Sequence, residues 1–313
     1  MNEFDIIKRY FSQGIKDSNV LLSIGDDAAL VRADPEQALA ICVDTLIESV
    51  HFLKTTKAAD IAYKAVAVNL SDLAAMGASP QWITLSLTLP AFDAAWLTGF
   101  SEGLTDICKE YKVALIGGDT TRGPLSVTVQ AHGFVPVDKA LKRHGTKTGD
   151  KIFVTKALGL AALGLQVMQG KIQIDNAEIL INELNRPEPA VQQGLLLREY
   201  ANSCIDISDG FLADLQHILE AGKVGAAIDL TKIPVADAIL DQSLKLQAAL
   251  TGGDDYGLCF TVAPEKVSNL LKAFSENNFP CYEVGEVTVD RGLLLLNQEQ
   301  YNLDLGNSGF LHF

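Results

Sequence analysis

The chain has 313 residues, 48% hydrophobic and 20% charged, with a formal net charge of −14. That length exceeds one ordinary core and predicts two domains, while the apolar fraction excludes a disordered chain. The acidity argues against nucleic acid held on a basic face, although bound cations could still draw in small anions.

Five scattered cysteines (Cys42, Cys108, Cys204, Cys259, Cys281) lack CxxC spacing and read as reduced thiols in a cytoplasmic protein. The N-terminus lacks a signal-peptide apolar core. The longest uncharged run, 73–92, contains Gly77, Pro80 and Pro90, so no membrane span is expected.

Residues 3–11 have helical spacing, with Phe4, Ile7, Tyr10 and Phe11 on one side. A short strand at 20–24 leads into Gly25-Asp26-Asp27-Ala28-Ala29, and a second at 39–43 into Asp44, with His51 soon after. Residues 61–77 are apolar almost all round, which predicts a buried helix; Gly77 and Pro80 stop it. Asp72 falls in its last turns, with Asn69 three residues back on the same face. A carboxylate there needs a cation or several donors.

Residues 82–89 alternate as a half-buried strand. An amphipathic helix follows at 96–111, then a strand at 113–116 ending in Gly117-Gly118-Asp119-Thr120-Thr121, and a second alternating strand at 126–135. A basic patch, 139–147, contains Arg143. The Gly149-Asp150 turn marks the expected boundary, giving an ATP- and Mg-binding domain at 1–148 and an α/β domain at 149–313. The second half reads as a strand at 151–155, a small-residue helix at 158–168 and a helix at 191–200. A strand at 204–207 ends in Ser208-Asp209-Gly210 before a helix at 211–220, and Gly252-Gly253-Asp254-Asp255-Tyr256 precedes a strand at 258–262.

Apolar strands that end in aspartate recur: Asp26 and Asp27, Asp44, Asp119, Asp206 and Asp209. Asp72 adds one from the helix. In α/β sheets ligands gather where strands end. Donors that are nearly all oxygen select magnesium or calcium over zinc. Magnesium held by few carboxylates shares phosphate oxygens. Many acids without an obvious nucleophile point to phosphoryl transfer, where positioning and charge neutralisation do the catalysis. The usual phosphate cradles are missing: Gly164 to Lys171 resembles a Walker A loop but has one spacer too many and then Ile172. A nucleotide would be held by Mg²⁺, the Gly117-Gly118 backbone and Arg143.

Taken together, Gly25-Asp26-Asp27-Ala28-Ala29, Val43-Asp44-Thr45-Leu46, His51-Phe52, Asn69-Leu70-Ser71-Asp72-Leu73-Ala74-Ala75-Met76-Gly77-Ala78, Gly117-Gly118-Asp119-Thr120-Thr121-Arg122-Gly123-Pro124, Ile205-Asp206-Ile207-Ser208-Asp209-Gly210 and Gly252-Gly253-Asp254-Asp255-Tyr256 resemble the bacterial thiamine-monophosphate kinases along essentially the whole chain. The resemblance implies the two-domain α/β fold of the aminoimidazole-ribonucleotide-synthetase superfamily, with an N-terminal sheet domain that forms a homodimer. It implies transfer of a phosphoryl group from ATP to thiamine phosphate, with several Mg²⁺ ions.

By position, the resemblance makes Asp27, Asp44, Asp72, Asp119, Asp206 and Asp209 metal ligands, and places Cys42 beside a metal where relatives often carry Ser or Thr. It assigns Gly118, Asp119, Arg143 and Ser208 to ATP, and His51, Gly257 and Phe310 to the thiamine phosphate site. Asp72, Asp119 and Asp209 are the expected catalytic acids. Two positions depart from the family pattern: Gly257 stands where a Glu is usual, and Leu311 where an acid is frequent. Other Mg/ATP enzymes of the superfamily, and nucleotide-binding maturation scaffolds, are the alternatives. The former include a selenophosphate chemistry that needs an N-terminal Cys; the latter depend on a C-terminal Cys, whereas this sequence ends Leu-His-Phe.

Overall fold

The computed structural model describes residues 3–12, 15–175, 177–235 and 241–303. Contacts group the chain into two units, Met1–Leu73 with Ala78–Asp138, and Ala74–Gly77 with Lys139–Phe313. Among the described residues no helix is long and apolar enough to cross a membrane.

In the first unit, α1 (Glu3–Ile6) runs into a π-helical turn (Ile7–Phe11). Two short strands, β1 (Val20–Leu22) and β2 (Leu30–Val31), pair antiparallel. Then come β3 (Gln37–Ile47), α2 (Ala58–Ala75), β4 (Ser79–Leu89), α3 (Ala94–Tyr111), β5 (Ala114–Arg122) and β6 (Ser126–Pro136). The last four strands form one sheet in the order β3-β6-β4-β5, with β4 and β5 parallel and the other pairs antiparallel.

Each element follows from its side chains. The alternation in β4 buries Ile83, Leu85, Leu87 and Leu89 on one face, as a period of two requires. The apolar run of α2 is buried nearly all round, with Ala62, Val66, Ala67, Leu70 and Leu73 fully covered. Gly77 ends it in the left-handed region at φ 61. There Gly77 N–H donates to Ala74 O and Ala78 N–H to Leu73 O, the paired closure of a Schellman motif. Asp93 caps α3 by accepting the Ala95 and Trp96 N–H groups at 2.9 and 3.1 Å.

In the second unit the order is β7 (Lys151–Val154), α4 (Leu160–Met168), α5 (Glu178–Asn185), α6 (Val191–Leu197), β8 (Ala201–Asp206), α7 (Phe211–Gly222), β9 (Gly225–Asp229), α8 (Gln242–Thr251), β10 (Leu258–Val262), α9 (Val267–Glu276), β11 (Tyr282–Thr288) and β12 (Gly292–Leu296). Its sheet runs β12-β9-β11-β7-β10-β8; β12 joins β9 in parallel and the other pairs are antiparallel. Ile205, Phe211, Leu215, Ile218, Ile228 and Leu250 belong to its core. The fold class is mixed α/β.

Residues 139–148, which the sequence assigns to the first domain, group with this second unit. Cys204 N–H donates to Lys142 O at 2.9 Å. Buried Asp150 holds the segment's end by accepting Lys147 N–H and the Asn202 side-chain amide, each at 2.9 Å.

Within the first unit, α3 lies so close to the start of α2 that a Cβ on Gly103 would stand 2.0 Å from Ala59 O, whereas one on Gly99 would make only an ordinary 3.7 Å contact. Gly103→Ala is therefore expected to destabilise by roughly 1–3 kcal/mol through overpacking. Gly99→Ala should gain about 0.5–1 kcal/mol from helix propensity. Urea midpoints of the two variants check the contrast; equal shifts would refute it.

Candidate functional site

The site residues of the first unit fall into two groups. Asp27, Gly117, Gly118 and Asp119 line a cavity of about 590 Å³ together with Thr84 and Leu85. Both acids are exposed. The sequence places Asp119 at a strand end, but β5 continues through it, pairing Asp119 with Ser86 of parallel β4. Gly118 makes that pairing possible: its φ is 156, and a Cβ there would lie 1.9 Å from Leu85 O. Gly118 itself is exposed and lines the cavity, where a glycine lets a ligand approach the backbone closely.

Cys42, Asp44 and Asp72 form the second group. Asp44 is not at a strand end either; it lies within β3, opposite Val129 of β6. Pairing continues past it, where the Thr45 and Thr128 hydroxyls meet at 2.8 Å. Cys42 Sγ donates to Asn69 O of α2 at 3.3 Å, and the Asn69 amide donates back to Ala65 O. Burial first, then the charges of Asp72 and Asp44, push the Cys42 thiol well above its ordinary range. Strand β3 and helix α2 thus touch at this thiol, near enough to both acids for their charges to raise it. His51 is half-buried in the turn after β3, its Nδ1 accepting Ile47 N–H at 3.0 Å.

In the second unit Asp206 ends β8, as the sequence predicts, and Ser208-Asp209-Gly210 forms the loop into α7. Asp214, in the first turn of α7, organises that loop. Its Oδ2 accepts the N–H groups of Ser208, Asp209 and Gly210 at 3.0, 3.1 and 3.1 Å. Burial, with Asp206 and then Asp209 nearby, raises the Asp214 carboxyl to about 7. Asp214 is absent from the sequence-predicted site; its signal is an acid in the first turn of the helix that follows the Ser-Asp-Gly loop.

The Gly252-Gly253 loop packs on the same segment, with Asp254 N–H donating to Ser208 O and Tyr256 N–H to Ile207 O, both at 2.8 Å. Asp254 and Tyr256 have positive φ, 68 and 50. Buried Asp255 was also overlooked as an anchor: both its oxygens accept Gly159 N–H, at 3.0 and 2.9 Å. Gly257 is buried and Arg143 exposed; Phe310 and Leu311 lie outside the described residues. Among the described residues, no three His, Cys, Asp or Glu side chains are placed to hold a metal by themselves.

Residues 25–135 match the family described as AIR synthase related protein, N-terminal domain, and residues 147–295 match its counterpart, the C-terminal domain. The thiamine-monophosphate kinase of Haemophilus influenzae is 45% identical across 100% of this chain and 98% of its own. The crystal structure of the thiamine-monophosphate kinase from Stenotrophomonas maltophilia has a TM-score of 0.85 at 40% identity, covering 94% of this chain and 95% of that one. The structure of AaThiL complexed with AMPPCP and TMP has a TM-score of 0.79 at 26% identity, covering 90% and 89%. The chain belongs to the thiamine-monophosphate kinase family of the AIR synthase related proteins.

Burial outweighs the Gly159 N–H and Lys156 and raises the Asp255 carboxyl from 3.8 to about 7. The folded protein then binds a proton that the unfolded chain has released. Its stabilising contribution is complete below 3.8 and lost as pH climbs through about 7. Asp255→Asn should flatten the fall in stability between those values; thermal melting across that range, wild type against variant, measures it. Parallel curves would show that Asp255 does not titrate there.

Proposed function

We propose that this chain phosphorylates thiamine phosphate to thiamine diphosphate with ATP. Family membership supports the acceptor. The observation that carries the chemistry is the cavity that Asp27 and Asp119 line together with the Gly117-Gly118 backbone. Two carboxylates on one cavity beside exposed backbone suit a cation that shares phosphate oxygens.

The oxygen donors fit Mg²⁺. Asp27 and Asp119, which line one cavity, or Asp44 and Asp72 would serve an ion that takes one or two carboxylates and completes its shell with water and phosphate. Asp206 and Asp209 are the corresponding donors of the second unit. Mg²⁺, when bound, would offset the repulsion between two anionic substrates.

The chain's own groups do the rest. In the first unit the Gly118 backbone, which lines the cavity, would receive phosphate oxygens; in the second unit the exposed Arg143 would carry a phosphate contact and Ser208, held by Asp214, a nucleotide contact. His51 and Gly257 would face the acceptor. The attacking oxygen of thiamine phosphate is already ionised, so an in-line transfer of the γ-phosphoryl group needs no strong general base. The free thiols suit a reducing cytoplasm.

We also infer a homodimer through β3. It is an edge strand of eleven residues, with Leu39, Ile41 and Val43 exposed by 41, 56 and 57%. An apolar edge of that length invites strand pairing with a second copy.

Asp72→Asn keeps shape and removes charge. With the fold intact by circular dichroism, kcat should fall on the order of a hundredfold or more; near-normal turnover at high Mg²⁺ would overturn the role of Asp72. Thiamine phosphate should support ATP turnover where free thiamine does not. Equal rates with both would point to a different transfer. Ile41→Glu should give a monomer by light scattering, and an unchanged dimer would locate the interface elsewhere.

A further inference from the structure

Gly257 has a neighbour that a glycine alone permits. A Cβ built on it would stand 2.7 Å from Cγ and 3.0 Å from Cδ of Lys156, and 3.3 Å from Thr155 Oγ1. The space beside Gly257 is filled by a lysine stem. That stem is fixed at its base: Thr155 N–H donates to Leu258 O at 3.1 Å, and the Thr155 hydroxyl accepts Leu258 N–H at 2.8 Å. At its other end Lys156 Nζ meets Glu183 Oε2 of α5 at 2.6 Å. The two side chains remain 20% and 30% exposed, so the charged ends reach solvent while the stem is packed. The same lysine favours the ionised form of Asp255, whose loop is hydrogen-bonded to the Ile207-Ser208 backbone.

We propose that Lys156 is a specificity-determining residue for the phosphate-bearing acceptor, its stem filling the space that a side chain at 257 would otherwise occupy. The proposal rests on the thiamine phosphate assignment above. A carboxylate at that place would face the cationic ring of the acceptor; an ammonium favours its phosphate. Glu183 is an exchangeable partner. A partly exposed Lys–Glu pair contributes little net stability, so Nζ can move to a phosphate oxygen at small cost. The stem also ties the two positions together. A side chain on Gly257 would collide with Cγ near the base of the lysine rather than with its mobile tip, so Gly257 and Lys156 are expected to change jointly.

The test uses the full-length protein. Lys156→Met keeps the stem and removes the charge; Lys156→Arg keeps the charge. Both are assayed for kcat, for the KM of thiamine phosphate and of ATP separately, and for thiamine phosphate binding by calorimetry. In Lys156→Met, losing a hydrogen bond to a charged group predicts a roughly ten- to hundredfold rise in acceptor KM and Kd. The KM for ATP and kcat should stay at wild-type values, and Lys156→Arg should retain most acceptor binding. Gly257→Glu alone should lower the melting temperature, and adding Lys156→Ala should restore it.

An acceptor KM in Lys156→Met equal to wild type would reduce Lys156 to a packing partner of Glu183 and overturn the proposal. So would a loss shared equally between ATP and acceptor. A wild-type protein that neither binds nor turns over thiamine phosphate would overturn the functional assignment itself, and this proposal with it.

Discussion

Buried carboxylates that accept backbone N–H groups hold the second unit's loops in place. Asp214 takes three amides of the Ser208-Asp209-Gly210 loop. Asp255 takes Gly159 N–H at the entry to α4, and Asp150 takes Lys147 N–H. A buried acid satisfied by amides keeps its geometry without a cation. In a chain with 39 acids and 25 basic side chains, that economy leaves other acids available to meet a ligand. Asp206 and Asp209 surround Asp214 closely enough to raise it, so the anchor and the candidate ligands share one field. A divalent ion at Asp206 or Asp209 would relieve the repulsion that Asp214 experiences.

Periodicity made much of the fold legible. The apolar run of α2 and the alternation of β4 are local patterns, and both elements form where their side chains place them. The ends of β3 and β5 were harder to read because a strand's length is set by its partner. β6 offers eleven residues to β3, so pairing runs past Asp44. β4 draws β5 through Gly118 and Asp119, because a glycine there lets two backbones approach. Turn-forming composition at Gly117-Gly118-Asp119 suggested an end where the pairing supplies a continuation.

The candidate site was legible in its acids and obscure in their partners. Asp27, Asp119, Asp206 and Asp209 stand in recognisable motifs. Asp214 shows in the sequence only as an acid in the first turn of a helix, and Asp255 only as the second acid of its loop; the amides they hold are set by burial. The pairing of Lys156 with Gly257 joins positions about a hundred residues apart, and β7 must lie beside β10 before it exists. Here the sequence offered half of the observation, an unusual glycine, and the sheet supplies the side chain that fills its space.

The thiol at position 42 follows the same electrostatic logic from the opposite side. Cysteine is a soft ligand only as a thiolate. Burial and the charges of Asp72 and Asp44 oppose its ionisation, and its proton is directed to Asn69 O. A thiolate would add a third negative charge between two carboxylates; a thiol adds none and donates a hydrogen bond instead. If Asp44 and Asp72 hold the proposed Mg²⁺, a neutral Cys42 thiol would leave the kind of ion they take unchanged. The choice would then stay with the two carboxylates, since carboxylate oxygens favour a hard cation that retains water and binds phosphate.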